Sequence, residues 1–217
     1  LARRELDVLR QQARQMAQTD ADARAWRLLG DMLAETDDFA GAADDYARAR
    51  ERTGEKEDPA LMLQLGGALE RSGRWAEAKP LLERVVALAP DSAAALNHLG
   101  YAMAERGEDL PRALGLLERA NRLRPKEPAF VDSLGWALFR AGQPEKALPL
   151  IQSAVTADPG QPELSEHLGD ILWAMGRRFE ARYAWEAALT VMGEDTPKLR
   201  ARIARKLADA GVLTAAP

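Results

Sequence analysis

The side chains best suited to catalysis or metal binding are sparse in this chain. It contains two histidines, His98 and His167, and no cysteine. Without cysteine there is no thiolate nucleophile, no disulfide framework and no cysteine-based zinc site. Each histidine directly precedes a Leu-Gly pair in a repeated pattern, and the two lie two repeats apart. Because packed helices lie about 8–10 Å apart, we expect the pair to be too distant to share one metal ion.

Other candidates for chemistry also lack the partners that they would need. The acid pairs Asp37-Asp38 and Asp44-Asp45 favour a solvated helix face, since no cleft is indicated that would tune one acid against the other. Gly66-Gly67 is not followed by the Lys-Ser/Thr of a phosphate-binding loop, and Ser153 and Ser165 lack a nucleophile elbow. The sequence therefore predicts no catalytic residues, no cofactor and no metal site.

A repeated pattern of helix-forming residues is the strongest feature of the chain. A Leu-Gly pair recurs at steps of 36, 34, 35 and 34 residues, beginning at Leu29, Leu65, Leu99, Leu134 and Leu168. An alanine follows the leucine after thirteen residues, or fourteen in the third unit, at Ala42, Ala78, Ala113, Ala147 and Ala181. A bulky residue follows four positions later, at Tyr46, Leu82, Leu117, Ile151 and Trp185. A period near 34 residues is typical of stacked helical hairpins.

The glycines of the pattern predict close packing and tight turns. The glycine of each Leu-Gly pair is expected where a neighbouring helix comes so close that a Cβ would not fit. A second glycine lies eight residues after four of the leucines, at Gly73, Gly107, Gly142 and Gly176, and favours a left-handed turn at the end of the first helix. Asp58-Pro59 and Thr196-Pro197 are typical helix starts, with an N-cap residue before a proline.

This pattern closely resembles the tetratricopeptide repeat (TPR) family. The resemblance implies an all-α fold, a right-handed superhelical solenoid of about five helical hairpins. The predicted units span residues 21–194, at about 21–56, 57–91, 92–126, 127–160 and 161–194. Residues 1–20 are predicted to form an N-terminal helix, the second helix of a truncated preceding repeat. Residues 195–217 are predicted to form a C-terminal capping helix and tail, with the helix ending at Gly211.

The resemblance also implies a binding surface. In the TPR family the first helices of successive units line a concave groove, with side chains two before, two after and five after the repeat leucine pointing into it. In the C-terminal half these positions are aromatic and acidic. The predicted partner-binding residues are Asn97, Tyr101, Asp132, Trp136, Phe139, Arg140, Glu166, Asp170 and Trp173. Packing between repeats is the alternative interpretation of the same aromatic residues.

The chemistry of this surface indicates its partner. Chaperone-binding TPR domains hold a terminal carboxylate with Lys, Asn and Arg, whereas here only Asn97 is of that kind and the acids would repel a carboxylate. We therefore expect a protein or peptide that carries apolar anchors and Lys or Arg. The capping helix itself is amphipathic and basic, with Leu199, Ile203 and Leu207 on one face. This favours a solvating end and leaves binding to a membrane surface or an anionic partner as the alternative.

Composition limits the remaining classes of function. The net charge of −4 gives no drive toward nucleic acid, and the longest uncharged run, residues 92–104, is too short to span a bilayer. The chain begins at Leu1, without Met and within a helical pattern, which favours a piece of a longer protein.

A narrower resemblance concerns three runs, at residues 97–101, 132–136 and 167–173. They look like the C-terminal TPR segment of bacterial cell-envelope proteins, some of which hold a carboxyl-terminal processing protease. That resemblance implies a processing protease as a partner, and a cell-envelope or periplasmic location in preference to the cytoplasm. The function predicted is a non-enzymatic scaffold or adaptor. The alternatives are a regulatory or substrate-delivery segment of a larger enzyme and a self-assembling structural protein.

Overall fold

The computed structural model describes residues 23–53, 57–193 and 196–214, together with residues 8, 11 and 15. Within these residues all regular secondary structure is helical, which confirms the all-α prediction. The helix predicted for residues 1–20 lies outside the described segments. The chain divides into two compact units, residues 1–99 and residues 100–217, and the division falls inside one helix.

The described residues of unit 1 (residues 1–99) form four helices and the first half of a fifth: α1 Ala23–Ala34, α2 Phe39–Arg52, α3 Pro59–Arg71, α4 Trp75–Leu88 and the start of α5 Ala93–Arg106. The part of unit 2 (residues 100–217) that the structure describes forms the rest of α5 and six further helices: α6 Leu110–Leu123, α7 Pro128–Arg140, α8 Pro144–Ala157, α9 Pro162–Ala174, α10 Arg178–Val191 and α11 Pro197–Thr214. The odd-numbered helices up to α9 carry the Leu-Gly pairs and are called first helices below; α2, α4, α6, α8 and α10 are the second helices.

The Leu-Gly glycines lie where the sequence places them. A Cβ on Gly135 would lie 2.8 Å from Cδ1 of Ile151, and one on Gly169 would lie 2.3 Å from the indole of Trp185. A Cβ on Gly30, Gly66 or Gly100 would likewise overlap the bulky residue of the same repeat, which is Tyr46, Leu82 or Leu117. Each first helix therefore contacts its second helix at a point with no room for a side chain. The repeat alanines of the second helices are completely buried: Ala42, Ala78, Ala113, Ala147 and Ala181.

The turns also follow the sequence. Gly73, Gly107, Gly142 and Gly176 all have φ between 67° and 85°, the left-handed conformation predicted for them. The third repeat has one extra residue in its turn, and there Asp109 has φ 40° and accepts a hydrogen bond from the backbone N–H of Arg112. Asp58 caps α3 by accepting hydrogen bonds from the N–H groups of Ala60 and Leu61.

The prediction that Gly211 ends the last helix is wrong, because α11 continues through it to Thr214. Helix-ending glycines elsewhere in the chain have a positive φ, and Gly211 does not. A glycine inside a helix lowers its stability but does not by itself end it. On its inner side α11 buries Leu199, Ile203 and Ala210 against the core of unit 2.

Candidate functional site

Four ring side chains form a continuous row across three first helices of unit 2. The ring centroids of Tyr101 and His167 are 6.5 Å apart, and the His167 ring stacks on Trp136 at 4.1 Å. Phe139, one turn after Trp136 on α7, lies 5.3 Å from it. We call Tyr101, Trp136, Phe139 and His167 the aromatic row. Its middle members, Trp136 and His167, are buried, and its outer members, Tyr101 and Phe139, are half-buried.

A buried ion pair holds the histidine of this row. Nδ1 of His167 lies 2.9 Å from each carboxylate oxygen of Asp132, the residue one turn before Trp136 on α7. Burial alone would lower the pKa of His167, but the charge and hydrogen bond of Asp132, together with Glu166 and Asp170, raise it above its ordinary value. Asp132 and His167 therefore form a largely charge-neutral pair, which fixes the His167 ring within the aromatic row.

A carboxylate from α5 contacts the other side of Trp136. Oε1 of Glu105 accepts a hydrogen bond from the indole N–H of Trp136 at 2.7 Å and another from Arg140 at 2.9 Å. The side chains of Glu105 and Arg140 are substantially exposed, so they form the accessible polar edge of the aromatic row. Burial, together with the negative charges of Glu105 and Asp132, raises the pKa of the Tyr101 hydroxyl, which stays protonated as a donor.

The remaining two acids are bound by α11. Arg202 donates to both carboxylate oxygens of Glu166, at 2.6 and 2.5 Å. Lys206 donates to Glu166 at 2.7 Å and to Asp170 at 2.6 Å. Burial would raise the pKa of Glu166, but these two cations outweigh it and hold that pKa below its ordinary value. Two turns of the basic face of α11 thus dock on the acids of α9.

Trp173 lies at the end of α9 and contacts α10. Its ring centroid is 5.5 Å from that of Trp185, and the guanidinium of Arg178 lies 4.7 Å above it. The Trp185 indole N–H donates to Asp170 at 3.0 Å, which connects this pair to the α11 contacts.

The nine predicted partner-binding residues divide into three groups. Asp132, Trp136 and Glu166 are at most 8% exposed, since each is covered by the next first helix or by α11. Tyr101, Phe139, Arg140, Asp170 and Trp173 remain half-buried or exposed in unit 2. Asn97 is half-buried and belongs to unit 1.

The charges of this surface are balanced from within the chain. Asp132 pairs with His167, Glu166 with Arg202, Asp170 with Lys206, and Glu105 with Arg140. The Lys and Arg expected from an external partner are therefore supplied, at Glu166 and Asp170, by α11. The accessible remainder is aromatic, with the Glu105–Arg140 pair at its edge.

Sequence reasoning missed His167, Glu105, Arg202 and Lys206 as members of this surface. The signal that could have found them is the repeat step itself. His167 follows Asp132 by 35 residues, and Arg202 and Lys206 follow Glu166 and Asp170 by 36. A step of about one repeat leads from a first helix to the helix two elements later that packs beside it, so residues at that separation are candidates for contact.

Among the described residues no three His, Asp or Glu side chains come together as a metal site. His98, in unit 1, packs beside Gly67, with Nε2 4.0 Å from a carboxylate oxygen of Glu70. Within residues 23–53, 57–193 and 196–214 no helix is long and apolar enough to cross a bilayer.

Known proteins with this architecture are repeat proteins. The chain aligns with a thermophilic TPR protein from Thermus thermophilus at 23% identity and a TM-score of 0.74, over 86% of this chain and 99% of that one. MamA of Desulfovibrio magneticus RS-1 aligns at 25% identity and a TM-score of 0.58, over 78% and 93%. YrrB, described as a TPR protein with an unusual peptide-binding site, aligns at 18% identity and a TM-score of 0.55, over 90% and 98%.

Sequence comparison leads to the same family. No curated protein matches the chain. The family model of the tetratricopeptide repeat matches residues 2–57, 63–128 and 133–198, which is most of the sequence. Its matches include all five Leu-Gly pairs and the glycine contacts described above. The chain therefore belongs to the tetratricopeptide repeat family.

Proposed function

We propose that this protein is a non-enzymatic scaffold that binds a protein or peptide segment on the first-helix face of unit 2. TPR proteins in general serve as scaffolds for protein–protein contacts. The finer proposal is that the segment lies across the half-buried ends of the aromatic row, Tyr101 and Phe139, and continues toward Trp173.

The observation that carries the proposal is the docking of α11 on this same face. An amphipathic helix with cations four residues apart, Arg202 and Lys206, binds Glu166 and Asp170. The face thus recognises a basic, amphipathic helix within its own chain. A partner segment would add to this surface where α11 leaves it open, at Tyr101, Phe139 and the Glu105–Arg140 edge.

The chemistry of the open part favours an apolar anchor with a polar neighbour. Half-buried aromatic rings provide rigid apolar contact at low entropic cost. Glu105 could accept a hydrogen bond from a Lys or Arg of the partner, and Arg140 would remain beside it. A processing protease is one candidate for such a partner, carried only by the resemblance of residues 97–101, 132–136 and 167–173 to cell-envelope proteins.

Site-specific photocrosslinking tests the proposal in two steps. A photoreactive phenylalanine analogue at Tyr101 or Phe139 should crosslink a partner in cells, and the same analogue at Arg122 on α6, an exposed residue of a second helix, should not. The partner so found is then titrated against purified variants. Truncating a central aromatic anchor commonly costs about 2 kcal/mol of binding, so Phe139→Ala should weaken it by about thirtyfold.

The choice of variants avoids fully buried residues. Trp136 and Asp132 are buried, so their replacement would confuse binding with stability, whereas Phe139 is half-buried and Arg140 is exposed. Arg122→Ala is the matched control. If Phe139→Ala and Arg140→Glu both melt normally and bind the partner like that control, the first-helix face of unit 2 is not the binding surface.

A further inference from the structure

The outward face of α10 carries an apolar stripe that the first-helix site does not use. Phe179 and Tyr183 are 77% and 72% exposed, and Val191 is 42% exposed. With Ala187 they follow one another at intervals of four residues and so lie along one helix face. The opposite face of α10 supplies the buried residues Ala181, Trp185 and Ala188. The stripe therefore makes no contribution to the core of unit 2.

The other second helices present a different outward face. The position of Tyr183, two residues after the repeat alanine, is occupied by Asp44, Pro80, Gly115 and Pro149 in α2, α4, α6 and α8. All four are exposed, as Tyr183 is. None of the four helices has an aromatic residue there or at the position of Phe179. Among the second helices, only α10 thus has two exposed aromatic residues at these positions. Contiguous exposed apolar surface of this kind marks an interaction site.

Two charged residues beside the stripe indicate what covers it. Arg182 and Glu186 flank it four residues apart, and within the described residues neither side chain has an ionic or hydrogen-bonding partner. A cation and an anion in this order are self-complementary when two copies of the helix run antiparallel. Arg182 then faces Glu186 of the second copy, and Glu186 faces Arg182 of the second copy.

We propose that the outward face of α10 is a homodimer interface, in which α10 packs antiparallel against α10 of a second copy about a two-fold axis beside Tyr183. The side-chain sizes agree with this register. Phe179 lies opposite the small Ala187 of the second copy, and Tyr183 meets its own equivalent at the axis. A two-fold interface of this kind uses one patch twice, so a self-complementary patch is what it requires.

The size of the stripe is that of a weak, transient interface. A buried aromatic side chain contributes about 150–250 Å². Two aromatics with Ala187, Val191 and the flanking charges from both copies then bury roughly 1,000 Å², the lower limit for a specific interface. We therefore expect a dissociation constant on the order of 10–100 μM, a weak and reversible dimer.

Charge exchange in the intact chain provides the sharpest test. Sedimentation equilibrium from about 5 to 500 μM should show a monomer–dimer equilibrium for the wild-type chain. Arg182→Glu and Glu186→Arg each place like charges opposite one another and should weaken dimerisation at least tenfold. The double variant R182E/E186R restores both pairs in reverse and should recover most of the wild-type affinity.

The apolar part of the stripe is tested separately, with a control on another second helix. Tyr183→Glu should give a monomer up to about 500 μM, whereas Leu123→Glu, at an exposed leucine of α6, should dimerise like the wild type. The proposal is overturned if the wild-type chain is monomeric throughout the range, if Y183E and L123E behave alike, or if the double charge variant fails to recover. Thermal melting of each variant verifies that it is folded.

Crosslinking reports the register directly. Since the chain has no cysteine, Tyr183→Cys introduces a single thiol close to the proposed axis. Mild oxidation should join two copies of this variant, whereas Ser153→Cys, exposed on α8 at the position that corresponds to Ala187, should remain uncrosslinked. Equal crosslinking of both variants would contradict the α10 interface. None of these variants touches Tyr101 or Phe139, so the outcome is independent of the first-helix site.

Discussion

Units 1 and 2 each place an aspartate two residues after a repeat leucine, and they satisfy it with donors of different charge. In unit 1, Asp31 accepts hydrogen bonds from the hydroxyl of Tyr46 at 2.8 Å and from the amide of Gln64 at 2.7 Å. In unit 2, Asp170 accepts from the indole of Trp185 at 3.0 Å and from the ammonium of Lys206 at 2.6 Å. The carboxylate is thus hydrogen-bonded by neutral groups in one unit and paired with a cation in the other.

The positions of the donors are the same in both units although the residue types differ. The second-helix donor follows the aspartate by 15 residues in each case. The other donor comes from the next helix that packs beside it, 33 residues on in unit 1 and 36 residues on in unit 2. The repeat therefore determines where a partner is found, and the local sequence determines whether that contact responds to salt.

The largest expected effect comes from filling the Leu-Gly helix contact, which both units contain. Gly66→Leu in unit 1 and Gly135→Leu in unit 2 each force a branched side chain into a helix contact, where even a Cβ would lie 2.6 Å from Leu82 or 2.8 Å from Ile151. Each should lower the free energy of unfolding by about 3 kcal/mol, at the upper end of overpacking effects. Chemical denaturation measures this loss.

Gly115→Ala is the matched control for both glycine variants. Gly115 lies inside α6, and a Cβ there would meet nothing within 4 Å. Since alanine favours a helix over glycine, this change should stabilise the protein by about 0.5–1 kcal/mol. Loss of stability in G115A equal to that in G135L would show that close packing is not the reason for the repeat glycines.

The second prediction separates the two units by charge. Glu166→Gln keeps the shape of the side chain but removes the charge that holds Arg202 and Lys206, and it should cost about 2 kcal/mol. The value is below that of a fully buried pair, because Arg202 is 58% exposed and can turn to water. Asp31→Asn in unit 1 retains an acceptor for Tyr46 or Gln64 and should cost about 1 kcal/mol or less.

Salt dependence distinguishes the loss of stability in Glu166→Gln from that in Asp31→Asn. The cost of Glu166→Gln should shrink between about 0.05 and 1 M NaCl, since salt screens ion pairs, and that of Asp31→Asn should stay constant. Parallel dependence of both variants on salt would indicate that α11 is not held electrostatically.

The third prediction uses pH on unit 2 alone. The pKa of His167 is raised in the folded state, so the folded protein holds the proton more tightly than the unfolded chain. The resulting stability is complete below the unfolded value of about 6.5 and is lost as pH rises through the higher folded value. Each unit by which the folded value exceeds the unfolded one corresponds to about 1.4 kcal/mol.

His167→Gln provides the reference for this titration. Glutamine can still donate to Asp132 but does not titrate, and His98 is present in both proteins, so its contribution cancels. Urea unfolding at intervals between about pH 5.5 and 9 should show the stability advantage of the wild type decreasing toward alkaline pH. An advantage that grows with pH would mean that the imidazole is neutral in the folded protein.

The smallest effect is expected in unit 1. Tyr46→Phe removes one hydrogen bond to Asp31 and leaves both the ring contact with Gly30 and the bond from Gln64. The free energy of unfolding should fall by about 0.5–1 kcal/mol, with no dependence on salt. A loss above about 2 kcal/mol, measured by urea titration, would show that the neutral network is as critical as the ionic one.

The sequence by itself determined the all-α repeat fold and the position of every Leu-Gly contact. The reason is local and periodic, because every repeat needs a glycine opposite its bulky residue, such as Tyr46, Ile151 or Trp185. The left-handed turn glycines and the Asp58 cap were predictable for the same reason, because one residue's backbone geometry limits the choice of side chain. The sequence also predicted that the aromatic and acidic side chains of the first helices lie in the C-terminal half of the chain.

Only the tertiary structure decided which of those side chains are accessible. Asp132 and Trp136, two before and two after their repeat leucine, lie under the next first helix, where His167 covers them. The basic face of α11, predicted as a solvated end, supplies the cations for Glu166 and Asp170. Pairing of this kind depends on the geometry between repeats, since a carboxylate and a cation 36 residues apart show no local preference for each other until packing brings them together.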